Sequence, residues 1–223
     1  LIKKMQSKDF IYRLYGRSRL RSKKNIDYNK SKSFIEKFSI QNLKINKNYI
    51  LDIGSGYGEN TILLANQSKD SIVIACDNFF DGNFKLAKTA QEQNMNNVYI
   101  HNGNVHEFLD KLDQNLYFNS VWILFPDPWP KKKHFKRRLI NKLFFEKIYN
   151  FLKKNAYIYI ATDSKSYLKE ILFLIFKIKN QFIWENQKKI DWDYKNASLA
   201  QTKYFKKAIK KGSNPFFIKL RKL

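Results

Sequence analysis

"YILDIGSGYGENTILLANQ", residues 49 to 67, joins a short apolar run, three glycines and a helical pattern in one stretch. The run 49–54 is too short for a buried helix and ends in glycine, so it reads as a strand, and 59–67 reads as the helix after a tight turn. The same theme repeats along the chain. "SIVIACD" (71–77), "NVYIHN" (97–102), "SVWILF" (120–125) and "AYIYIA" (156–161) are further apolar strands with helical stretches between them, the first an amphipathic segment through Gln93. A helix is also expected from Ser33 to about Leu43. Five apolar strands alternating with helices predict an α/β fold with a doubly wound, mostly parallel sheet and helices on both faces. Such sheets bind ligands beyond the carboxyl ends of their strands, near the switch in strand order. The residues there are Gly54 to Gly58, Asp77, Asn104, Asp127 and Asp163.

At 223 residues the chain suits one such domain, assigned to 31–223, preceded by a basic, Tyr-rich arm over 1–30 that is expected to order only on binding. The formal net charge is +24, with 43 Lys and Arg against 19 Asp and Glu. Codon composition can raise lysine everywhere, but it does not cluster it. The cations concentrate in "YRLYGRSRLRSKK" (12–24), in 131–142, and in the tail after Asp193, the last acidic residue. Clustering points to a polyanion. A membrane surface fits less well, because "ILFLIF" (171–176) runs into Lys177 and is far short of a span, and the N-terminus reads without a signal-peptide core. Cys76 has no partner for an intrachain disulfide, which suits a reducing compartment, so a cytoplasmic protein is expected. Its subunit state reads as monomer or homodimer, and Met5 is an alternative start. His101, His106 and His134 lack metal-ligand spacing with Cys76, so no metal is assigned.

Gly54, Gly56 and Gly58 form G-x-G-x-G, with Glu59 where the dinucleotide fingerprint has its third glycine. Pyrophosphate is thus disfavoured. Asp77 ends the second strand, where an acid accepts from both hydroxyls of a ribose, and Asp52 precedes the glycines, where it can face an ammonium group. A ligand with a ribose, an amino group and no phosphates fits this set, and S-adenosylmethionine (SAM) is such a ligand. Asn104 stands either at an adenine edge or as a loop cap.

At the fourth strand's end, "FPDPWPKKKHFKRRL" (125–139) puts Asp127 in a loop stiffened by Pro128 and Pro130. Trp129 either stacks on a base or buries against the next helix. That helix is expected to bury Leu139, Leu143, Phe144, Ile148, Phe151 and Leu152, with Arg137 and Arg138 in its first turn. Cations there oppose the helix dipole, which suggests an external anion: a nucleic-acid backbone held beside the rigid loop.

These stretches, with "LDIGSGYGEN", "NVYIHNGNVHEFL", "YIATDSKSY" and "TKY" in order, resemble the bacterial single-chain tRNA (guanine-N7-)-methyltransferase family over roughly residues 10 to 220. The resemblance implies a class I methyltransferase (Rossmann-like) fold, SAM as donor and the variable-loop guanine, tRNA position 46, as acceptor. By motif it assigns Asp52, Gly54, Gly56, Asp77, Asn104 and Asp127 to the cofactor. Lys131, Asp163 and the segment Thr202, Lys203, Tyr204, Phe205 go to the substrate, beside Arg137 and Arg138 of the basic block. Three positions depart from the family pattern: Asp52 replaces a common Glu, Asn104 an Asp, and Phe205 the acid of T-K-x-E, which is the natural acceptor for the guanine N1 and N2 hydrogens.

Guanine N7 offers a lone pair and no proton, so alignment rather than a general base should dominate the chemistry. Asp127 and Asp163 are the candidates to stabilise the charge that develops on the purine. Rival readings are an exocyclic-amine methyltransferase, whose acid-Pro-Pro-aromatic order the Asp-Pro-Trp-Pro loop breaks; a tRNA-binding protein of this fold without catalysis; and an NAD-dependent oxidoreductase, against which the glycine spacing speaks.

Overall fold

The computed structural model describes residues 28–40, 47–194 and 199–223. The element order is α1 (Tyr28–Glu36), β1 (Asn48–Ile53), α2 (Glu59–Gln67), β2 (Ser71–Asp77), α3 (Phe80–Glu92), β3 (Val98–Asn102), α4 (Val105–Lys111), β4 (Phe118–Leu124), α5 (Lys142–Tyr149), β5 (Leu152–Thr162), α6 (Lys165–Lys177), β6 (Phe182–Trp184), α7 (Lys203–Lys210) and β7 (Phe216–Lys222). The strands form one seven-stranded sheet in the order β3-β2-β1-β4-β5-β7-β6. The first five are mutually parallel, and β7 runs antiparallel to both of its neighbours. Chain order reverses between β1 and β4, and that is the switch point.

Alternation along β1 shows how the two faces are filled. Tyr49, Leu51 and Ile53 point into a core shared with α4, α5 and α6, while Ile50 points into a second core with α2 and α3. Successive side chains leave a strand on opposite faces, so Asp52 lies on the α2 and α3 side. β2 is buried at five of its seven positions, because helices cover both faces. This bears out the doubly wound, mostly parallel α/β sheet expected from the alternating pattern, and with it the class I methyltransferase architecture that the family resemblance implied.

Three expectations are corrected. The five anticipated strands are seven, because 182–184 and 216–222 add an antiparallel pair at one edge. The helix expected to run through Leu152 with Arg137 and Arg138 in its first turn is shorter: a 3-10 helix spans Lys132–Arg137 with Arg138 just after it, Asn141 caps α5 by accepting from the Phe144 N–H at 3.0 Å, and Leu152 already belongs to β5. Neither arginine thus opposes the α5 dipole. Leu143 is therefore not in the stripe but 62% exposed. The early helix runs from Tyr28 to Glu36, so it starts ahead of Ser33 and ends well before Leu43, and the basic arm up to residue 27 lies outside the described residues. Residues 28–30 of the expected arm form the first turn of α1.

Candidate functional site

Beyond the carboxyl ends of β1 and β4, from which the chain continues to strands on opposite sides of the pair, lies the glycine turn that follows β1. Gly54, Gly56 and Gly58 all have positive φ, at 73°, 58° and 84°. A side chain at Gly58 would strike Leu86 of α3, and one at Gly82 of α3 would strike the Gly56 carbonyl. The turn therefore lies directly on α3 and exists only with glycine at these contacts.

Asp52 is 2% exposed. Its carboxylate accepts from Asn60 Nδ2 at 3.0 Å and Thr61 Oγ1 at 2.6 Å, both in the first turns of α2. Burial pushes its pKa up to about 6 against those two hydrogen bonds. Asp77 closes the next strand: its Oδ2 accepts the Gly56 N–H at 2.8 Å and its Oδ1 the Phe79 N–H at 2.9 Å. Burial also raises this carboxyl, with the backbone donors working the other way. Asn104 caps α4, its Oδ1 accepting from the His106 N–H at 2.7 Å, so the capping reading of this residue holds.

A cleft at the switch point is lined by Asp52, Gly54, Ser55, Gly56, Glu59, Asn60, Leu124, Thr202 and Tyr204. It brings Asp52 and the glycines of the anticipated cofactor set together with Thr202 and Tyr204 of the anticipated substrate set, from the far end of the chain. Thr202 caps α7 by accepting from the Phe205 N–H at 3.2 Å, and Lys203 Nζ lies 4.6 Å from the centre of the Tyr57 ring in the glycine turn. Ser55, Glu59 and Asn60 were missed as lining residues; the signal for Asn60 was its place one turn after a buried acid. Ser55 Oγ and Asn60 Oδ1 are buried with no hydrogen-bond partner among the described residues. Unmet polar atoms beside an acid suit a ligand with an ammonium group, and SAM fits this donor set.

The loop after β4 carries unusual backbone. Phe125 and Trp129, each followed by proline, have φ of 56° and 41°. Left-handed geometry at bulky pre-proline residues costs on the order of 1–3 kcal/mol each and gathers at functional sites. Asp127 lies between them and is exposed; Asp163, just before α6, is exposed as well. Trp129 is half-buried, with the Arg137 guanidinium 5.0 Å from its ring centre and His134 edge-on at 5.8 Å. It is not part of the buried core clusters. Lys131, Lys132, Lys133 and Lys136 are exposed around it.

Two residues assigned to the substrate turn inward. Arg138 is 2% exposed and forms an ion pair with Glu170 at 2.7 Å, so its charge is spent inside the fold. Phe205 is 8% exposed and stacks on Tyr194, with ring centres 4.6 Å apart, in a cluster with Leu124 and Ala161. The side chain that stands in place of the T-K-x-E acid thus anchors α7 rather than facing the cleft.

Comparison with known proteins agrees with this geometry. The family model described as "Putative methyltransferase" matches residues 46–218. A tRNA (guanine-N(7)-)-methyltransferase from Neorickettsia sennetsu is 32% identical over 190 residues, covering 82% of this chain and 85% of that protein. One from Leptospira interrogans is 33% identical over 150 residues, covering 66% and 69%. Among solved structures, an rRNA methylase from Streptococcus thermophilus superposes with a TM-score of 0.54 at 14% identity, covering 91% of this chain and 99% of that one, and shows the shared fold.

Proposed function

The chain belongs to the tRNA (guanine-N7-)-methyltransferase family, and on that premise we propose that it transfers the methyl group of SAM to N7 of the variable-loop guanine, position 46, of tRNA. One observation carries the reading: Thr202 and Tyr204, from the end of the chain, share a single cleft with Asp52, Gly54 and Gly56 at the switch point. That shared cleft supports a site in which the methyl donor and its acceptor meet.

Asn104 keeps its role as the cap of α4, while Asp52, Gly54, Gly56 and Asp77 would hold the cofactor, which supplies an electrophilic methyl group. Asp52 answers its ammonium, Asp77 its ribose. Lys131, exposed just before the 3-10 helix, and Arg137, half-buried at its end, meet tRNA phosphates. The guanine N7 lone pair attacks without loss of a proton, so the protein's task is alignment, worth roughly 7–11 kcal/mol in well-oriented reactions. Asp127 and Asp163 flank the strand ends and stabilise the positive charge that moves onto the purine. Tyr204 and Thr202 bound the acceptor side. The site of action we infer is the cytoplasm; among the described residues no helix is long and apolar enough to cross a membrane.

The test is transfer of labelled methyl from SAM to unmodified tRNA, beside a tRNA with the position 46 guanine replaced. Label only with the guanine, recovered as N7-methylguanosine after nuclease digestion, is the expected result. Tight tRNA binding without label would instead make this a non-catalytic tRNA-binding protein, and a methylated exocyclic amine would change the acceptor.

A further inference from the structure

We propose that Arg138 is a positioning residue for this reaction, holding the strained loop 125–130 against α6 so that Asp127 and Asp163 keep a fixed separation; the inference rests on the methyl-transfer reading above. Adjacent in sequence, Arg137 and Arg138 look like one phosphate-binding pair. In the fold they part. Arg138 Nε donates to the Pro128 carbonyl at 2.7 Å, Nη2 donates to Ser166 Oγ at 3.1 Å, and Nη1 pairs with Glu170 Oε2 at 2.7 Å. The guanidinium carbon lies 3.7 Å from the centre of the Phe135 ring and 4.8 Å from that of Tyr167. Its side chain is 1% exposed.

The position of the Pro128 bond gives this arrangement its meaning. The Pro128 carbonyl belongs to the peptide unit that precedes Trp129, and the φ of 41° at Trp129 is the rotation about the bond that unit makes to the Trp129 Cα. By gripping that oxygen, Arg138 pins the peptide plane on which the left-handed turn depends. Arg137 covers the Trp129 ring. One arginine thus fixes the backbone of the loop while its neighbour covers the side chain, and a strained conformation persists only where its surroundings over-determine it. Asp127 immediately precedes Pro128. The other two partners, Ser166 and Glu170, lie in the first turns of α6, directly after Asp163. A planar fork with fixed donor directions is suited to joining these two strand ends, and a lysine ammonium is not.

The experiment compares wild type, Arg138→Lys and Ser166→Ala by kcat and KM for tRNA, SAM affinity, Tm, and amide hydrogen exchange at Asp127 and Trp129. Arg138→Lys is expected to lower kcat about 10- to 100-fold, the cost of a misplacement near 1 Å, with KM and SAM affinity within about twofold. Exchange at Asp127 and Trp129 rises at least about tenfold, while strand amides keep their protection. Ser166→Ala, which leaves no charge uncompensated, lowers kcat about 3- to 10-fold at unchanged Tm. A raised KM with unchanged kcat in Arg138→Lys would overturn the proposal and return Arg138 to the phosphate-binding block. Should Arg138→Lys fail to fold, Ser166→Ala decides alone, and wild-type kcat and exchange in it overturn the proposal. A wild type that transfers no methyl to tRNA sinks the assigned reaction instead, and the exchange measurement still decides whether the loop is held.

Discussion

The Gly56 N–H donates to Asp77 Oδ2 at 2.8 Å, so the turn that follows β1 is held by the acid that ends β2. Asp77 thus shapes the glycine turn, and in the proposed function it also faces the ribose. Asp77→Ala should weaken SAM binding by about one to two powers of ten, the worth of hydrogen bonds to a charged group. Titration calorimetry measures it, and an affinity unchanged from wild type would remove Asp77 from the cofactor site.

With Asp52 as the proposed partner of the cofactor's ammonium, SAM binding should depend on pH. The Asp52 pKa is pushed up to about 6 by burial, so the carboxylate is lost as pH falls through that value. SAM affinity should fall below about pH 6, and Asp52→Asn should flatten the profile. For the free protein the sign is opposite. A raised folded-state pKa means the unfolded chain ionises first, so stability from this group is present below about pH 4 and lost as pH rises to about 6, by roughly 3 kcal/mol. Urea unfolding of wild type and Asp52→Asn across that window isolates the difference.

Gly82→Ala should damage the cofactor end without touching the RNA surface. The new methyl group would collide with the Gly56 carbonyl and the Phe79 ring. Overpacking of this kind costs about 1–3 kcal/mol, and here it displaces the turn. A lowered Tm with weaker SAM binding and wild-type tRNA affinity is the expected pattern.

Phe205→Glu installs the acid of the family pattern, yet it should not raise activity. Position 205 faces Tyr194 and Leu124, and a carboxylate there loses the stacking and is buried without a cation. Phe205→Ala is expected to cost about 3–5 kcal/mol, and Phe205→Glu at least as much. A Phe205→Glu variant with wild-type Tm and faster turnover would show that α7 can rotate this position into the cleft.

Replacing Lys131, Lys132, Lys133 and Lys136 with Gln should weaken tRNA binding and flatten its dependence on salt. Every lysine that ceases to neutralise a phosphate lowers the log–log slope by about 0.7–0.9. SAM affinity serves as the control, since none of these side chains lines the cleft. An unchanged slope would move the tRNA track to another face.

The fold and the cofactor end were legible in the chain because they rest on local rules. Strands buried on both faces must be apolar along their buried length, as 72–76 is, and left-handed turn residues favour glycine, as at Gly54, Gly56 and Gly58, the last of which also lies against Leu86 of α3. The cation block at 131–142 was equally plain, since charge density is a property of composition. Asn104 stayed open between cap and ligand until the His106 N–H was seen to occupy its oxygen.

Other features were decided only by meetings of residues distant in sequence. Nothing beside Arg138 separates it from Arg137; its inward turn comes from Glu170 and Ser166, which only the packing of α6 brings within reach. Phe205 faces inward because Tyr194 offers a ring to stack on, and β6 and β7 are strands because β5 presents an open edge to them. The sequence by itself therefore determined the parallel α/β layers, the glycine turn and the polyanion-seeking charge, because period, chirality and charge act over a few residues. The tertiary structure alone decided which of two neighbouring arginines is buried and what Phe205 anchors, because burial and pairing depend on the side chain that arrives from elsewhere in the fold.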